Sequence, residues 1–292
     1  MRIYNKPIGT GRAWLCGDIG INHQSDPKLA HALIDAAHNA GFDAVKFQKR
    51  TPELVVPRAQ WDTIRATPFG DMSTIEYRRK MELSRETYAA LRMHAHRFGL
   101  AFGASAWDLE SVGFLEAVGV DYHKMPSACF DNTELLQAMV LTGKPVIVST
   151  GMCTWRDLDC LWERLPREWD ESNIAILQCT SGYPVEHEQI ALPVINEIRK
   201  RYGVVVGYSG HESDIEPSVL SVTAYGAAIV ERHITLSRAL PGSDHGASLE
   251  PTGMRALAER IRTSEALMLA SGEKVVQPCE RAQAKRLGRV TE

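Results

Sequence analysis

The chain has no apolar run approaching membrane-spanning length and no charged-then-apolar leader of the signal-peptide kind. Its six cysteines (Cys16, Cys129, Cys153, Cys160, Cys179 and Cys279) are scattered, with no CxxC pair among them. That pattern argues against a disulfide framework and fits reduced thiols in the cytoplasm. Net charge is only -3, too little to hold a nucleic acid by bulk electrostatics. Neither glycine-rich phosphate turn, GxGxxG or GxxxxGK[ST], occurs. These absences set aside membrane spans, disulfide scaffolds and the common nucleotide-binding turns.

What is present is an ordinary globular composition, 44% apolar and 24% charged over 292 residues, ample for one large core or two small ones. Short apolar runs of strand type recur at Trp14–Ile21, Asp43–Gln48, Leu100–Ala106, Tyr122–Pro126, Val146–Thr150 and Ile174–Thr180. Two more, VVVGYS and AAIVERHI, lie within Val204–Leu236. Helical spacing separates them. Asp26 and Pro27 open a helix that Gly41 stops, and others are expected over Arg85–Arg97, Asp108–Val118, Thr154–Leu165 and Gln189–Tyr202. Asp131 and Glu134 read as a capping box for a further helix ending at Gly143. The last helix runs from about Pro251 to Leu269, with Met254, Leu257, Ile261 and Met268 inward. From Lys49 to about Leu83 there is no clear period, but Trp61, Phe69 and Tyr77 argue for an ordered insertion near a site.

Eight strand and helix units in about 270 residues fit an α/β chain, a (β/α)8 TIM barrel. A doubly wound open sheet is the other arrangement such alternation allows; it usually carries the glycine-rich turn absent here. In a barrel the chemistry collects at the C-terminal strand ends. Those ends supply Asp18 and Asn22, Lys46 and Gln48, Ser105, Lys124 and Ser127, Ser149 and Thr150, Thr180 and Tyr183, Ser209 and His211, and His233. Any single serine there is as well explained as a turn hydroxyl. A lysine inside DAVKFQ, in contrast, must face a polar cavity or bear a heavy burial cost. Two lysines and several hydroxyls converging on one pocket suit a small, highly charged anion. His211 and His233, at neighbouring strand ends, are either half of a metal site or two unrelated imidazoles.

The segments GDIGINHQSDPKLAHALIDAAHNAGFDAVKFQ, YHKMPS, VIVSTGM, LQCTSGYP, VGYSGH, VERHITL and LPGSDHGASLEP, in this order and spacing, resemble the sialic acid synthase (N-acetylneuraminate synthase, NeuB-type) family. The resemblance covers the chain to about Gly272 and implies a TIM-barrel catalytic domain over 1-272, with the insertion at about 49-83. It implies a transferase that condenses phosphoenolpyruvate with an open-chain aldose such as N-acetylmannosamine, giving a 2-keto-3-deoxy sugar acid and phosphate. A divalent metal is implied too, manganese first, with magnesium or cobalt as alternatives. Carried over residue by residue, phosphoenolpyruvate contacts fall on Lys46, Ser105, Lys124, Ser127, Ser149 and Ser209, and metal ligands on His211 and His233. Acceptor contacts fall on Gln48, Tyr183 and Asp244. Asp18, in GDIG where the family has glutamate, is the candidate to position or deprotonate water.

Two departures from the family stand out. Its SGE loop is Ser127-Ala128-Cys129 here, so Cys129 replaces a glutamate that faces the acceptor. Residues 273-292, including the basic stretch Lys274–Arg289, resemble the linker to a C-terminal antifreeze-like (SAF) domain that is not in the sequence. A homodimer, or a separate SAF-like partner, is implied by resemblance alone. Readings that stay open are a related synthase using another aldehyde, a histidine-metal barrel hydrolase, and a pocket-retaining homologue with altered catalysis.

Overall fold

Side chains of a pleated strand alternate between its two faces, so that in AVKFQK the polar Lys46 and Gln48 share one face while the apolar Val45 and Phe47 share the other. A computed structural model describes residues 1–165, 171–268 and 274–289. Strands β1 (Trp14–Gly20), β2 (Ala44–Lys49), β3 (Ala101–Ala106), β4 (Tyr122–Met125), β5 (Val146–Ser149), β6 (Ile174–Cys179), β7 (Val205–Gly210) and β8 (Ile229–His233) pair in chain order. All pairs are parallel, and β8 closes on β1. This is the (β/α)8 barrel expected.

Helices α1 (Pro27–Asn39), α2 (Arg85–Arg97), α3 (Leu109–Val118), α4 (Thr133–Val140), α5 (Trp155–Glu163), α6 (Val194–Tyr202), α7 (Glu216–Thr223) and α8 (Pro251–Met268) follow the strands in turn. Their inner faces and the outward strand residues form the main core, with Leu33, Leu91, Leu115, Ile198 and Leu257 fully buried. Each such side chain contributes about 1.5–3 kcal/mol by leaving water. The barrel interior is a second, smaller cluster. Trp14, Cys16, Ala44, Ala101, Tyr122, Ile147, Leu177 and Ile229 fill its N-terminal half. Gly103 makes room there: a Cβ on it would lie 2.3 Å from the Tyr122 ring. The opening residues pack onto the barrel. Arg2–Ile3 and Lys6–Pro7 pair antiparallel, and Ile3 and Ile8 join the interior cluster beside Trp14. With that half packed, the barrel interior opens at its C-terminal mouth.

Several helix ends differ from expectation. Asn132, not Asp131, caps α4, its carboxamide oxygen accepting the Leu135 N–H at 3.0 Å. The α6 helix begins at Val194 rather than Gln189, which sits in a short 3-10 turn. Ala191 is at φ 54°, and Leu192 precedes Pro193, so helix cannot extend back through them. Met268 is 64% exposed, about two turns past the buried stripe of Met254, Leu257 and Ile261. Leu269, and the domain boundary expected at 272/273, lie outside the described residues. The insertion is ordered: a turn of helix at Pro52–Val55, a hairpin of Ile64–Thr67 with Gly70–Ser73, and a helix at Thr74–Met81 with a Ser73–Glu76 capping box. Among the described residues, no helix is long and apolar enough to cross a membrane.

Candidate active site

Strand register builds the site. Parallel pairing sets His233 level with Asp18, Asp18 with Lys46, Ser105 with Lys124, and Ser209 with Glu231. All these side chains point inward at the upper layer of the barrel, where the apolar filling stops. They line a cavity of about 390 Å³ at the C-terminal mouth. All twelve residues given a role by the family resemblance line it: Asp18, Lys46, Gln48, Ser105, Lys124, Ser127, Ser149, Tyr183, Ser209, His211, His233 and Asp244. The other strand-end candidates, Asn22, Thr150 and Thr180, do not. Asn22 donates to the Ile234 carbonyl and the Ser248 hydroxyl, both at 2.9 Å, and Thr150 donates to the Leu177 carbonyl at 3.0 Å.

The floor is an interlocked quartet of charges. Lys46 Nζ donates to Asp18 Oδ2 at 2.7 Å and to Ser105 Oγ at 2.9 Å. Lys124 Nζ donates to Ser149 Oγ at 2.6 Å. Glu231 bridges the two lysines, its Oε1 lying 3.4 Å from Lys124 and 3.9 Å from Lys46, and it accepts from Ser209 Oγ at 3.4 Å. Burial works against the Glu231 carboxylate, but the two lysines outweigh it and hold its pKa below the usual value. The Lys46 pKa is raised, burial again being overcome by Asp18 and Glu231. Asp18 Oδ1 and Glu231 Oε2 are buried without a hydrogen-bond partner, free to meet a ligand.

The histidine pair stands beside this floor. The two rings are 5.6 Å apart, and the Tyr183 ring lies 4.2 Å from His211 and 6.0 Å from His233. The His211 Nδ1 sits 2.9 Å from the Thr180 carbonyl, which selects the tautomer that donates there and leaves Nε2 as a lone-pair donor. On the other ring, His233 Nε2 is 3.5 Å from Asp18 Oδ2, and its Nδ1 is buried with no partner. The two imidazoles and the Asp18 carboxylate are donors of the kind a divalent cation takes, but among the described residues no group of three or more His, Cys, Asp or Glu side chains is arranged to hold a metal ion. Cys179, 4.0 Å from His211, lines the same cavity.

Sequence reasoning missed Glu231, Arg50, Arg78, Trp107 and Cys179 on the cavity wall. Glu231 was accessible from parity, since it is two residues before His233 on one strand and so shares its inward face. Cys129 carries the opposite correction. Its thiol is buried in the main core, 3.7 Å from the Trp107 carbonyl, while exposed Ala128 lines the cavity. A side chain at 129 in this loop conformation does not face the pocket.

A (β/α)8 barrel with paired lysines and carboxylates under a histidine pair defines an enzyme built to hold a small polyanion at its mouth. The chain belongs to the NeuB family, whose model matches residues 33–274. It is 35% identical to the N-acetylneuraminate-9-phosphate synthase of Homo sapiens over 283 residues, which are 96% of this chain and 78% of the human one. It is 32% identical to the N,N'-diacetyllegionaminic acid synthase of Legionella pneumophila over 275 residues, 92% and 77% of the two chains. The crystal structure of N-acetylneuraminic acid synthetase from Leptospira borgpetersenii, a citrate complex, superposes with a TM-score of 0.84 at 25% identity, covering 99% of this chain and 96% of that one. The chain is an enzyme of this synthase type.

Proposed function

We propose that the chain joins phosphoenolpyruvate to an open-chain aldose, giving a 2-keto-3-deoxy sugar acid and phosphate, with a divalent cation, manganese first, held by His211 and His233. The observation that carries this reading is the quartet Asp18–Lys46–Glu231–Lys124, ringed by Ser105, Ser149 and Ser209 at one end of the cavity. Phosphate and carboxylate of phosphoenolpyruvate need several directed donors, and here two ammonium groups and three hydroxyls converge from five strands. Fixing both ends of the molecule leaves its C3 aimed out of the floor towards an acceptor lying between Gln48, Tyr183 and Asp244.

In this reading Lys46 and Lys124 exchange part of their bonding to Asp18 and Glu231 for the incoming oxyanions. The two carboxylates are thereby left near C2, each with an oxygen free to take a proton. C3 attacks the aldehyde carbon, leaving an alkoxide there and an oxocarbenium at C2. Water adds at C2, its proton passing by way of Asp18 to the alkoxide, and the tetrahedral centre then expels phosphate, which carries off the proton of the C2 hydroxyl, to leave the C2 ketone. When bound, the cation would supply Lewis-acid polarisation of the aldehyde. The chain works as a homodimer in the cytoplasm in this reading. Relatives named for N-acetylneuraminate 9-phosphate, N,N'-diacetyllegionaminic acid and pseudaminic acid differ in their products, so the acceptor is where this branch varies.

The test is phosphate release from phosphoenolpyruvate across a panel of aldoses, with manganese and with excess chelator. Release that requires both an aldose and manganese is the expected result. Release without any aldose, full activity in chelator, or no release with any sugar counts against it.

A further inference from the structure

Two carboxamides on the exit of β1, Asn22 and Gln24, reach past the cavity without lining it. Both end on residues 234–250, the loop that joins β8 to α8 and carries Asp244 to the cavity wall. Backbone bonds close the base of that loop, Thr235 N–H to the Leu249 carbonyl at 2.9 Å and Leu249 N–H to the His233 carbonyl at 2.8 Å. Asn22 Nδ2 donates to the Ile234 carbonyl and to Ser248 Oγ, at 2.9 Å each. Ser248 must then turn its own proton elsewhere, and it donates to the Asp244 carbonyl at 2.6 Å. Gln24 Nε2 donates to the Pro241 carbonyl at 2.6 Å and lies 3.2 Å from His245 Nε2. The other nitrogen of that ring, Nδ1, is 2.8 Å from Thr235 Oγ1, whose proton goes to the Ser237 carbonyl at 3.0 Å. The ring proton therefore sits on Nδ1, and Nε2 accepts from Gln24. Gln24 and Ser25 take φ 47° and 61° in making this reach, the left-handed region that non-glycine residues enter at a cost. Among the described residues the Asp244 carboxylate accepts only from Ser243 Oγ on the same loop, at 2.7 Å, so the loop backbone sets its place.

We propose that Asn22 and Gln24 are positioning residues for the reaction: through Ser248 and His245 they hold the β8–α8 loop, and with it Asp244, in place at the mouth before any sugar arrives. This rests on the condensation proposed above, in which Asp244 faces the aldose. A loop that orders itself on binding loses part of the binding energy to that ordering, so a loop already held lowers the aldose concentration needed and leaves the chemical step alone. Neither carboxamide is charged or meets the substrate. Their loss should therefore appear in loop motion and aldose binding, and not in phosphoenolpyruvate binding, which rests on the lysines and serines of the floor. The straps also account for the run GINHQ after β1: one segment brings Asp18 to the floor and, a few residues on, ties down the opposite loop.

The experiment pairs hydrogen exchange with kinetics on the full chain, using Gln24→Ala, Gln24→Glu and Ser248→Ala. Glutamate keeps the size of Gln24 but cannot donate to the Pro241 carbonyl, so it separates the hydrogen bond from packing. Amides of residues 237–249 should exchange about 10-fold faster or more in all three variants, while those of β1 and α8 keep wild-type rates. KM for N-acetylmannosamine should rise about 10-fold in each, with kcat and the KM for phosphoenolpyruvate within about 2-fold of wild type. In an Asp244→Ala background, Gln24→Ala should add less than about 2-fold, because it acts through the same carboxylate. Wild-type exchange in the loop, a Gln24→Glu variant that behaves like wild type, or a loss that adds in full to that of Asp244→Ala would each overturn the positioning role. So would faster exchange spread through β1 and α8, the sign of a general loss of stability. Failure of the underlying reading shows differently. A wild-type chain that releases no phosphate with N-acetylmannosamine counts against the condensation with that sugar, and the exchange rates then decide the straps on their own.

Discussion

Arg232 and Glu212 are the chain neighbours of the two cavity histidines, His233 and His211, and they form an ion pair at 2.8 Å with both side chains fully buried. Arg232 also donates to the carbonyls of Glu212 and Asp214, at 2.5 and 2.8 Å. Tyr208 and Ser218 donate to the Glu212 carboxylate at 2.8 and 2.9 Å. The network ties the exit of β7 to β8 directly behind the imidazoles, so it fixes their separation.

Breaking one half of that pair should be costly. Arg232→Met leaves Glu212 charged and buried, an effect of about 3–5 kcal/mol that urea denaturation would register as a lower midpoint. Adding Glu212→Leu should recover most of the loss, because the orphaned charge goes with it. Manganese affinity, followed by electron paramagnetic resonance, should stay about 10- to 100-fold weaker in the double variant, as expected when groups that orient metal ligands are lost. Wild-type manganese affinity in the double variant would show that the clamp serves stability alone.

The quartet makes a prediction with opposite signs for its two kinds of member. Lys46 and Lys124 are balanced in place by Asp18 and Glu231 before any substrate arrives. Lys124→Met should therefore raise KM for phosphoenolpyruvate and lower kcat/KM by about 100-fold or more. Glu231→Gln keeps the shape but releases positive charge, so inorganic phosphate should bind roughly 10-fold tighter while turnover falls. Weaker phosphate binding in Glu231→Gln would mean that the carboxylate is not what tempers the lysines.

That balance also marks how far the sequence could be read. The strands, their order and the inward lysines, serines and histidines were legible because each is a local signal, a short apolar run ending in a polar residue. Glu231, flanked by Val230 and Arg232, was legible only through its parity with His233, the visible feature of that strand. Arg78 was hidden. The insertion has no long period, and the Thr74–Met81 helix is so strongly charged that its inward face, Ile75 and Tyr77 and Met81, does not stand out. Helix starts slipped where capping groups compete: Asp131 and Asn132 are adjacent, and only geometry decides which accepts. Cys129 illustrates the limit of reading a role from motif position, since one residue of turn geometry separates the core from the cavity.

Acid should destabilise the fold through buried histidines. Burial pushes His23 down to about 4, against an ordinary value of about 6.5. Between those values the unfolded chain binds the proton and the folded chain does not. Stability from this group is therefore complete above about pH 6.5 and is lost as pH falls towards 4, about 2 kcal/mol by pH 5. His123, lowered mainly by burial, acts in the same direction. Urea midpoints at pH 7 and 5 for wild type and His23→Gln would check this. The variant should lose less stability across the interval, and equal losses would assign acid sensitivity elsewhere.

The last prediction separates two neighbouring positions that a motif reading treats as one. Cys129 is 8% exposed in the main core, its thiol pushed up to about 11 mainly by burial, whereas Ala128 is exposed on the cavity wall. Cys129→Glu must force a longer, ionisable side chain into packed aliphatics, which costs about 3 kcal/mol or more through overpacking and desolvation together. Ala128→Glu extends into open cavity and should stay within about 1 kcal/mol of wild type. In thermal melts the first variant should fall by roughly 6–12 °C and the second by no more than about 4 °C. Function should divide the opposite way. The folded Ala128→Glu protein carries a new carboxylate beside the anion sites, so it should bind phosphate esters more weakly by about 5-fold or more. If instead Cys129→Glu melts like wild type and alters acceptor choice, residue 129 faces the substrate and the loop geometry described above is wrong.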